Sequence, residues 1–268
     1  MTDNKKVHRR RKSAGKRLSY PFYILIRELV RVFSPKFVIT GAEQIPEGAC
    51  IIVGNHAHMY GPIESVLYTP GTHVTWCIAE MMIWKEVAEY AYTDFWSMKP
   101  KRVRWFYRIL SHLIVPLAVC IFNNAPTIAV FRDSRVMRTF KETLDHLKAG
   151  ERVVIFPESL TPHNGILWTF REGFVDAARL YYKREKKPLL FVPMYVCPRL
   201  KKVCYGEPVA FDPEAPIEEE RARICKVLSD RITELAVSLP EHVVVPYPNV
   251  PKKNYPRNVI QTYETTED

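Results

Sequence analysis

The chain has 268 residues, 47% of them hydrophobic, and a formal net charge of +10. That length suits one large α/β domain with appendages, and the apolar content excludes wholesale disorder. The basic balance calls for an anionic partner, whether nucleic acid, an anionic membrane surface or a phosphorylated substrate.

Residues 1–17 carry Lys5, Lys6, Arg9, Arg10, Arg11, Lys12, Lys16 and Arg17, a self-repelling arm expected to be disordered alone. The arm lacks a secretory cleavage pattern. An amphipathic helix is expected over 18–34, with Phe22, Leu25, Ile26, Leu29, Val30 and Phe33 on one face and Arg27, Glu28 and Arg31 on the other. A basic arm next to such a helix can lie in the interface of an anionic bilayer. A strand at about 36–40 leads through Gly41 and Pro46 to the apolar run Ile51-Ile52-Val53. That run ends in Gly54-Asn55-His56, and Pro62 suits the first turn of a helix over about 62–69. His56 is therefore expected where a strand's carboxyl end hands over to a helix, the edge at which open α/β sheets bind ligands.

A strand near 72–79 and a helix within 81–96 follow. Ile109 to Phe122 is the most apolar stretch, and at about 14 residues it is too short to span a bilayer. It reads as a core helix, part of a pocket for an apolar chain, or a membrane-facing surface. Strand 127–131 ends at Arg132, with Asp133 or Ser134 available to cap the next helix. In that helix Val136, Met137, Phe140, Leu144 and Leu147 form an apolar stripe that stops at Gly150. Strand 152–156 runs into Pro157-Glu158. Thr169 and Glu172 have the spacing of a capping box for a helix to about 183. Strand 189–196 and a helix near 217–238 complete the order, and the Pro-rich remainder from Pro246 has little to pack. Strands alternating with helices imply an α/β layered fold. The six cysteines, Cys50, Cys77, Cys120, Cys197, Cys204 and Cys225, contain no Cys-x-x-Cys pair and are expected as buried reduced thiols, which favours a cytosolic face over a secreted disulfide framework.

Four blocks in order carry a resemblance: Asn55-His56, Phe131-Arg132, Phe156-Pro157-Glu158 and Val192-Pro193. Their order and spacing resemble the lysophospholipid (glycerol-phosphate) acyltransferase family over roughly residues 35–200. The resemblance implies a single layered α/β domain over 35–248, with a mixed, mostly parallel central sheet flanked by helices. It leaves the amphipathic helix before it and a tail at 249–268.

The family moves a fatty acyl group from an acyl thioester, acyl-CoA or acyl-carrier protein, to a lysophospholipid hydroxyl in phospholipid biosynthesis. The implied acceptor is 1-acylglycerol-3-phosphate. A histidine can take the hydroxyl proton as the oxygen attacks the carbonyl, and the thiol then leaves, so neither metal nor redox cofactor is required. That base maps onto His56. Arg132, Glu158 and Arg171 map onto the substrate-binding positions, with Glu158 organising the acceptor site. His58 is an alternative base. No recognised metal-ligand spacing joins His56, His58 and Glu64.

Two family positions differ. The aspartate that would orient the histidine is Gly61, and the arginine of Glu-Gly-Thr-Arg is Thr161. Glu64 reaching back, a backbone carbonyl in its place, or loss of efficient catalysis are the three resolutions. If the backbone accepts a side chain there, Gly61→Asp is expected to hold or raise activity. The expected setting is the cytoplasmic side of a membrane, held peripherally. A nucleic-acid partner is disfavoured, because the densest basic block is terminal and the aromatics follow helical spacing. A catalytically weak lipid-binding protein of the same fold is the rival reading.

Overall fold

A computed structural model describes residues 19–97 and 99–261. The basic arm expected over 1–17 lies outside the described residues. In chain order the elements are α1 (Ser19–Phe33), β1 (Val38–Thr40), β2 (Ile51–Gly54), α2 (Tyr60–Tyr68), β3 (His73–Ile78), α3 (Trp84–Ala91), α4 (Arg104–Leu113) and α5 (Val115–Asn124). They continue with β4 (Thr127–Val130), α6 (Val136–Lys148), β5 (Arg152–Ile155), β6 (Glu158–Pro162), β7 (Trp168–Phe170) and α7 (Asp176–Glu185). The last are β8 (Leu190–Cys197), β9 (Lys202–Tyr205), β10 (Val209–Ala210) and α8 (Ile217–Val237).

The fold is α/β, with a mixed, mostly parallel sheet. The described residues divide into two compact units, one within residues 19–35 and 76–142, the other within residues 36–75 and 143–261. In the second unit the strand order is β1-β9-β8-β2-β5-β3, with β10 on β8. Strand β2 pairs in parallel with both β5 and β8, and the β1–β9 and β3–β5 pairs are also parallel. Only β9 and β10 run antiparallel to β8.

Strands β2, β5 and β8 are near-continuous apolar runs because both faces are covered. Ile51, Ile52, Val53, Val153, Val154, Phe191 and Val192 are fully buried. The amphipathic α8 packs on β8 through Ile224, Leu228 and Ile232. Strand β4 belongs to the first unit.

The first unit is helical. Helices α3 and α5 share a core of Met81, Val87, Ala88, Val115 and Ala118. Tyr23 of α1 is buried with Cys120 and Ala125 beside α5. The stretch Ile109 to Phe122 is two helices, α4 and α5, meeting at Ile114 with a 44° bend. Pro116 occupies the first turn of α5, where it removes no helical hydrogen bond. The helix over 81–96 is shorter than its periodicity suggests and ends in a π-helical turn, Tyr92–Trp96.

The expected capping box at Thr169 and Glu172 is absent. Thr169 lies in β7, paired with β6, and a 3₁₀ turn over Glu172–Val175 precedes α7. The cysteines are free thiols, five of them buried and Cys77 partly so.

Candidate active site

The site grows from the carboxyl ends of β2 and β5, which lie side by side in register, Ile51 to Val53 against Val153 to Ile155. Asn55, at the mouth of β2, is 2% exposed. Its side chain accepts from the Val196 N–H at 2.7 Å and donates to the Val196 carbonyl at 3.1 Å. A buried amide so used continues the sheet through a side chain where the backbone has left it. This fastens the start of the loop, which carries His56 as its next residue, to β8.

Glu158, two residues beyond Phe156 at the mouth of β5, is buried. One carboxylate oxygen accepts the His56 backbone N–H at 2.5 Å, and the other accepts the Trp168 N–H at 3.1 Å. Glu158 therefore bridges three segments: the histidine loop, its own strand β6 and the opposing β7. Burial pushes its carboxyl up to about 7, against the two N–H donors that favour the charged form. Its bond goes to the His56 backbone, so it steadies the loop and leaves the imidazole ring to other partners.

The ring is oriented by a backbone carbonyl. His56 Nδ1 bonds to the carbonyl oxygen of His58. Ala57 (φ 44°) and His58 (φ 53°) both adopt left-handed conformations, and that pair turns the chain back on the ring. Consecutive non-glycine residues in this region are strained and persist only where surroundings hold them. Here His58 is held by its own ring, whose Nε2 lies 3.1 Å from the Pro248 carbonyl oxygen and which stands edge-on to Tyr255. A carbonyl oxygen can only accept, so Nδ1 carries the proton and Nε2 carries the lone pair in the neutral ring.

Phe156 and Tyr247 flank the His56 ring, with centroids at 5.5 and 5.2 Å. Burial, the largest influence, lowers its pKa to about 4, so the ring is neutral at physiological pH.

Gly61 is buried because its neighbours leave no room. Its N–H donates to the His56 carbonyl at 3.0 Å. A Cβ there would lie 2.7 Å from the His56 carbonyl oxygen, 2.8 Å from that of Asn55 and 2.8 Å from the Phe156 ring. The condition set for Gly61→Asp, a backbone that accepts a side chain, is therefore not met. Backbone crowding, rather than a left-handed φ, is the reason.

Glu64 does not reach back to His56 either. It lies on the inner side of α2, against Ile39, Met194, Val203 and Tyr205, with Oε2 buried and lacking a partner among the described residues. Burial pushes its carboxyl up to about 7. Of the two expected partners for the histidine, Glu64 and a backbone carbonyl, the carbonyl is the one this geometry provides.

Arg171 is exposed just past β7, and its N–H donates to the Pro157 carbonyl at 2.9 Å. Thr161 is exposed on β6. Arg132 belongs to the first unit, where it is exposed past β4 and its charge acts on the Asp94 carboxyl.

The segment beyond Pro240 has more to pack than its composition suggests. It forms a strap anchored by buried His242 and Asn258. The His242 N–H donates to Asn258 Oδ1 at 2.9 Å, and Tyr195 Oη lies 2.8 Å from His242 Nε2. The Val244 N–H donates to the Pro256 carbonyl at 2.8 Å. Between these anchors the strap brings Tyr247 and Pro248 onto the histidine loop. Such contacts are tertiary and leave no periodicity to read. Asn55, by contrast, had a signal: a polar amide closing a fully apolar strand. A cavity of about 340 Å³ lies between the strap and the β6–β7 hairpin, lined in part by Trp168, Lys253, Asn254 and Tyr255.

The geometry can be set beside known proteins. No curated protein matches the chain. Among solved structures it is similar to the 1-acyl-sn-glycerophosphate (LPA) acyltransferase PlsC from Thermotoga maritima. That likeness has 19% identity, covers 83% of this chain and 80% of that one, and has a TM-score of 0.47. The family model Acyltransferase matches residues 36–198, more than half of the chain, a span that includes His56, Gly61, Arg132, Glu158 and Arg171. The chain belongs to the Acyltransferase family.

Proposed function

We propose that the protein transfers a fatty acyl group from an acyl thioester to the hydroxyl of a lysophospholipid, with 1-acylglycerol-3-phosphate as the acceptor and His56 as the general base. The observation that carries this reading is the bond from His56 Nδ1 to the His58 carbonyl, which leaves Nε2 as the proton acceptor. Nε2 takes the acceptor's hydroxyl proton as that oxygen attacks the thioester carbonyl. The tetrahedral intermediate collapses with loss of the thiolate, which recovers the proton from the imidazolium and departs as free thiol. The donor is acyl-CoA or an acyl-carrier thioester, and the chain's own residues supply the proton transfer.

Asn55 and Glu158 act as positioning residues, because each holds backbone around the ring. Arg132 and Arg171 are the basic groups at the family's substrate-binding positions. The cavity beside Trp168 offers a further place for an anionic headgroup, since Lys253 lines it. The protein works peripherally at the cytoplasmic side of a membrane.

A second reading is favoured by one specific observation. Among the described residues no carboxylate bonds to the His56 ring, and burial lowers its pKa to about 4, so the imidazolium formed in the reaction lacks the support an adjacent acid gives. On that reading the protein is a catalytically weak lipid binder of the same fold. Purified protein incubated with 1-acylglycerol-3-phosphate and acyl-CoA or acyl-carrier donors separates the two. Catalysed thiol release with formation of the diacyl product supports the enzyme, and acceptor binding without turnover supports the binder.

A further inference from the structure

Helix α4 is amphipathic in the wrong sense for a helix of a water-soluble surface. Trp105, Ile109 and Leu113, spaced four apart on one stripe, are 67%, 52% and 68% exposed, and Phe106 beside them is 51% exposed. Its opposite side carries the buried Ser111, whose hydroxyl donates to the Arg108 carbonyl at 2.8 Å. The apolar side therefore faces out and the small polar residue faces in. Exposed apolar faces of this kind mark an interaction surface.

Charge identifies the occupant. Lys101, Arg102 and Arg108 are exposed along the same segment, and only Arg108 has a described acidic partner, Glu89 at 3.5 Å. An aromatic and aliphatic stripe collared by Lys and Arg is the composition that settles at a bilayer interface, the rings at headgroup level and the cations on anionic lipid. Helix α1 repeats the pattern. It packs on α5 through Tyr23, as α4 also packs on α5, and leaves Leu25, Val32 and Phe33 55%, 75% and 81% exposed.

No single described helix is long and apolar enough to cross a membrane, and α4 with α5 makes such a run only with a 44° bend. Burial of Val115, Ala118 and Cys120 commits α5 to the protein's own core.

We infer that the outer face of α4, formed by Trp105, Phe106, Ile109 and Leu113, is a bilayer-inserting surface for anionic membranes, acting beside the N-terminal segment. The inference does not rest on acyl transfer, and its test is a binding measurement. The full chain is sedimented with vesicles of phosphatidylcholine alone, or containing about one third phosphatidylglycerol. It is compared with a variant carrying Trp105→Ser, Phe106→Ser, Ile109→Ser and Leu113→Ser, with residues 1–33 intact.

Partition onto the anionic vesicles should fall at least about tenfold in the variant, the factor that burial of one such side chain supplies. Because the face is exposed, its melting temperature should be unchanged. Should the fourfold variant misfold, Trp105→Phe decides. Acyl-brominated lipid should quench wild-type fluorescence, and that quenching should be largely lost in Trp105→Phe. Equal partition by a folded fourfold variant, quenching indifferent to Trp105, or a lipid-free dimer that the variant dissolves with no change in vesicle binding would overturn the inference. The last outcome would assign the face to a second copy of the chain.

Discussion

His56 Nδ1 bonds to the main-chain oxygen of His58, two residues along the same loop. The partner that fixes the ring's tautomer is therefore backbone, and no side-chain substitution can delete it. What can be altered is the turn that presents it, built from Ala57 and His58 at positive φ and clamped by Pro248 on the strap.

The first prediction concerns the ring itself. Titration by NMR should place the midpoint near 4, with the Nδ1-protonated tautomer above it. The sign follows from burial: a cation in this site loses hydration, so protonation requires lower pH than the usual value of about 6.5. A midpoint near the usual value, or the Nε2-protonated tautomer, would show that the carbonyl does not orient the ring.

Gly61→Asp should lose activity and stability. A side chain meets the His56 and Asn55 carbonyl oxygens and the Phe156 ring at under 3 Å, and relief requires moving the loop that carries His56. Even Gly61→Ala should cost about 1–3 kcal/mol, the usual penalty for overpacking. Denaturant unfolding measures the cost, and a Gly61→Asp variant as stable and active as wild type would contradict the crowding.

Glu64→Gln should stabilise the protein at alkaline pH. The folded carboxyl is raised to about 7 by burial. Between about 4.5 and about 7 the folded state keeps a proton that the unfolded chain has released, so this group's contribution worsens as pH rises through that window. Above it, Oε2 is charged, buried and without a described partner. The amide should gain about 1–3 kcal/mol at pH 8, shrinking toward zero near pH 4.5. Thermal melts at the two pH values check this, and a gain independent of pH would point to packing instead of charge.

Lys253→Ala should raise KM for a phosphate-bearing acceptor by about 10- to 100-fold, the worth of one charge-assisted hydrogen bond, and leave kcat nearly unchanged. Lys253→Arg should restore KM. Initial rates against acceptor concentration read the split. A fall in kcat at constant KM would remove Lys253 from headgroup binding.

Much of the scaffold was legible because the central parallel strands are uninterrupted apolar runs and α6 and α8 are periodic. Strands β9 and β10 were not, since β9 opens on Lys202 and mixes its residue types and β10 has two residues. Thr169 and Glu172 misled because capping-box spacing also fits a strand that runs into a 3₁₀ turn. His56 and Glu158 were legible as polar residues closing apolar strands, and they meet through the parallel register of β2 and β5. Tyr247 and Pro248 were not, because nothing local says that a Pro-rich segment returns across a loop about 190 residues earlier.

On the proposed mechanism Nε2 of His56 removes the acceptor's proton. The most direct measurement is the rate of acyl transfer to 1-acylglycerol-3-phosphate by His56→Ala, with its fold verified by circular dichroism and its acceptor affinity measured alongside. Loss of a positioned general base should lower the rate roughly 10²- to 10⁴-fold. The affinity should hold, and His58→Ala, which keeps the orienting carbonyl, should lose less. Full activity in a folded His56→Ala protein would place the base elsewhere and contradict the account.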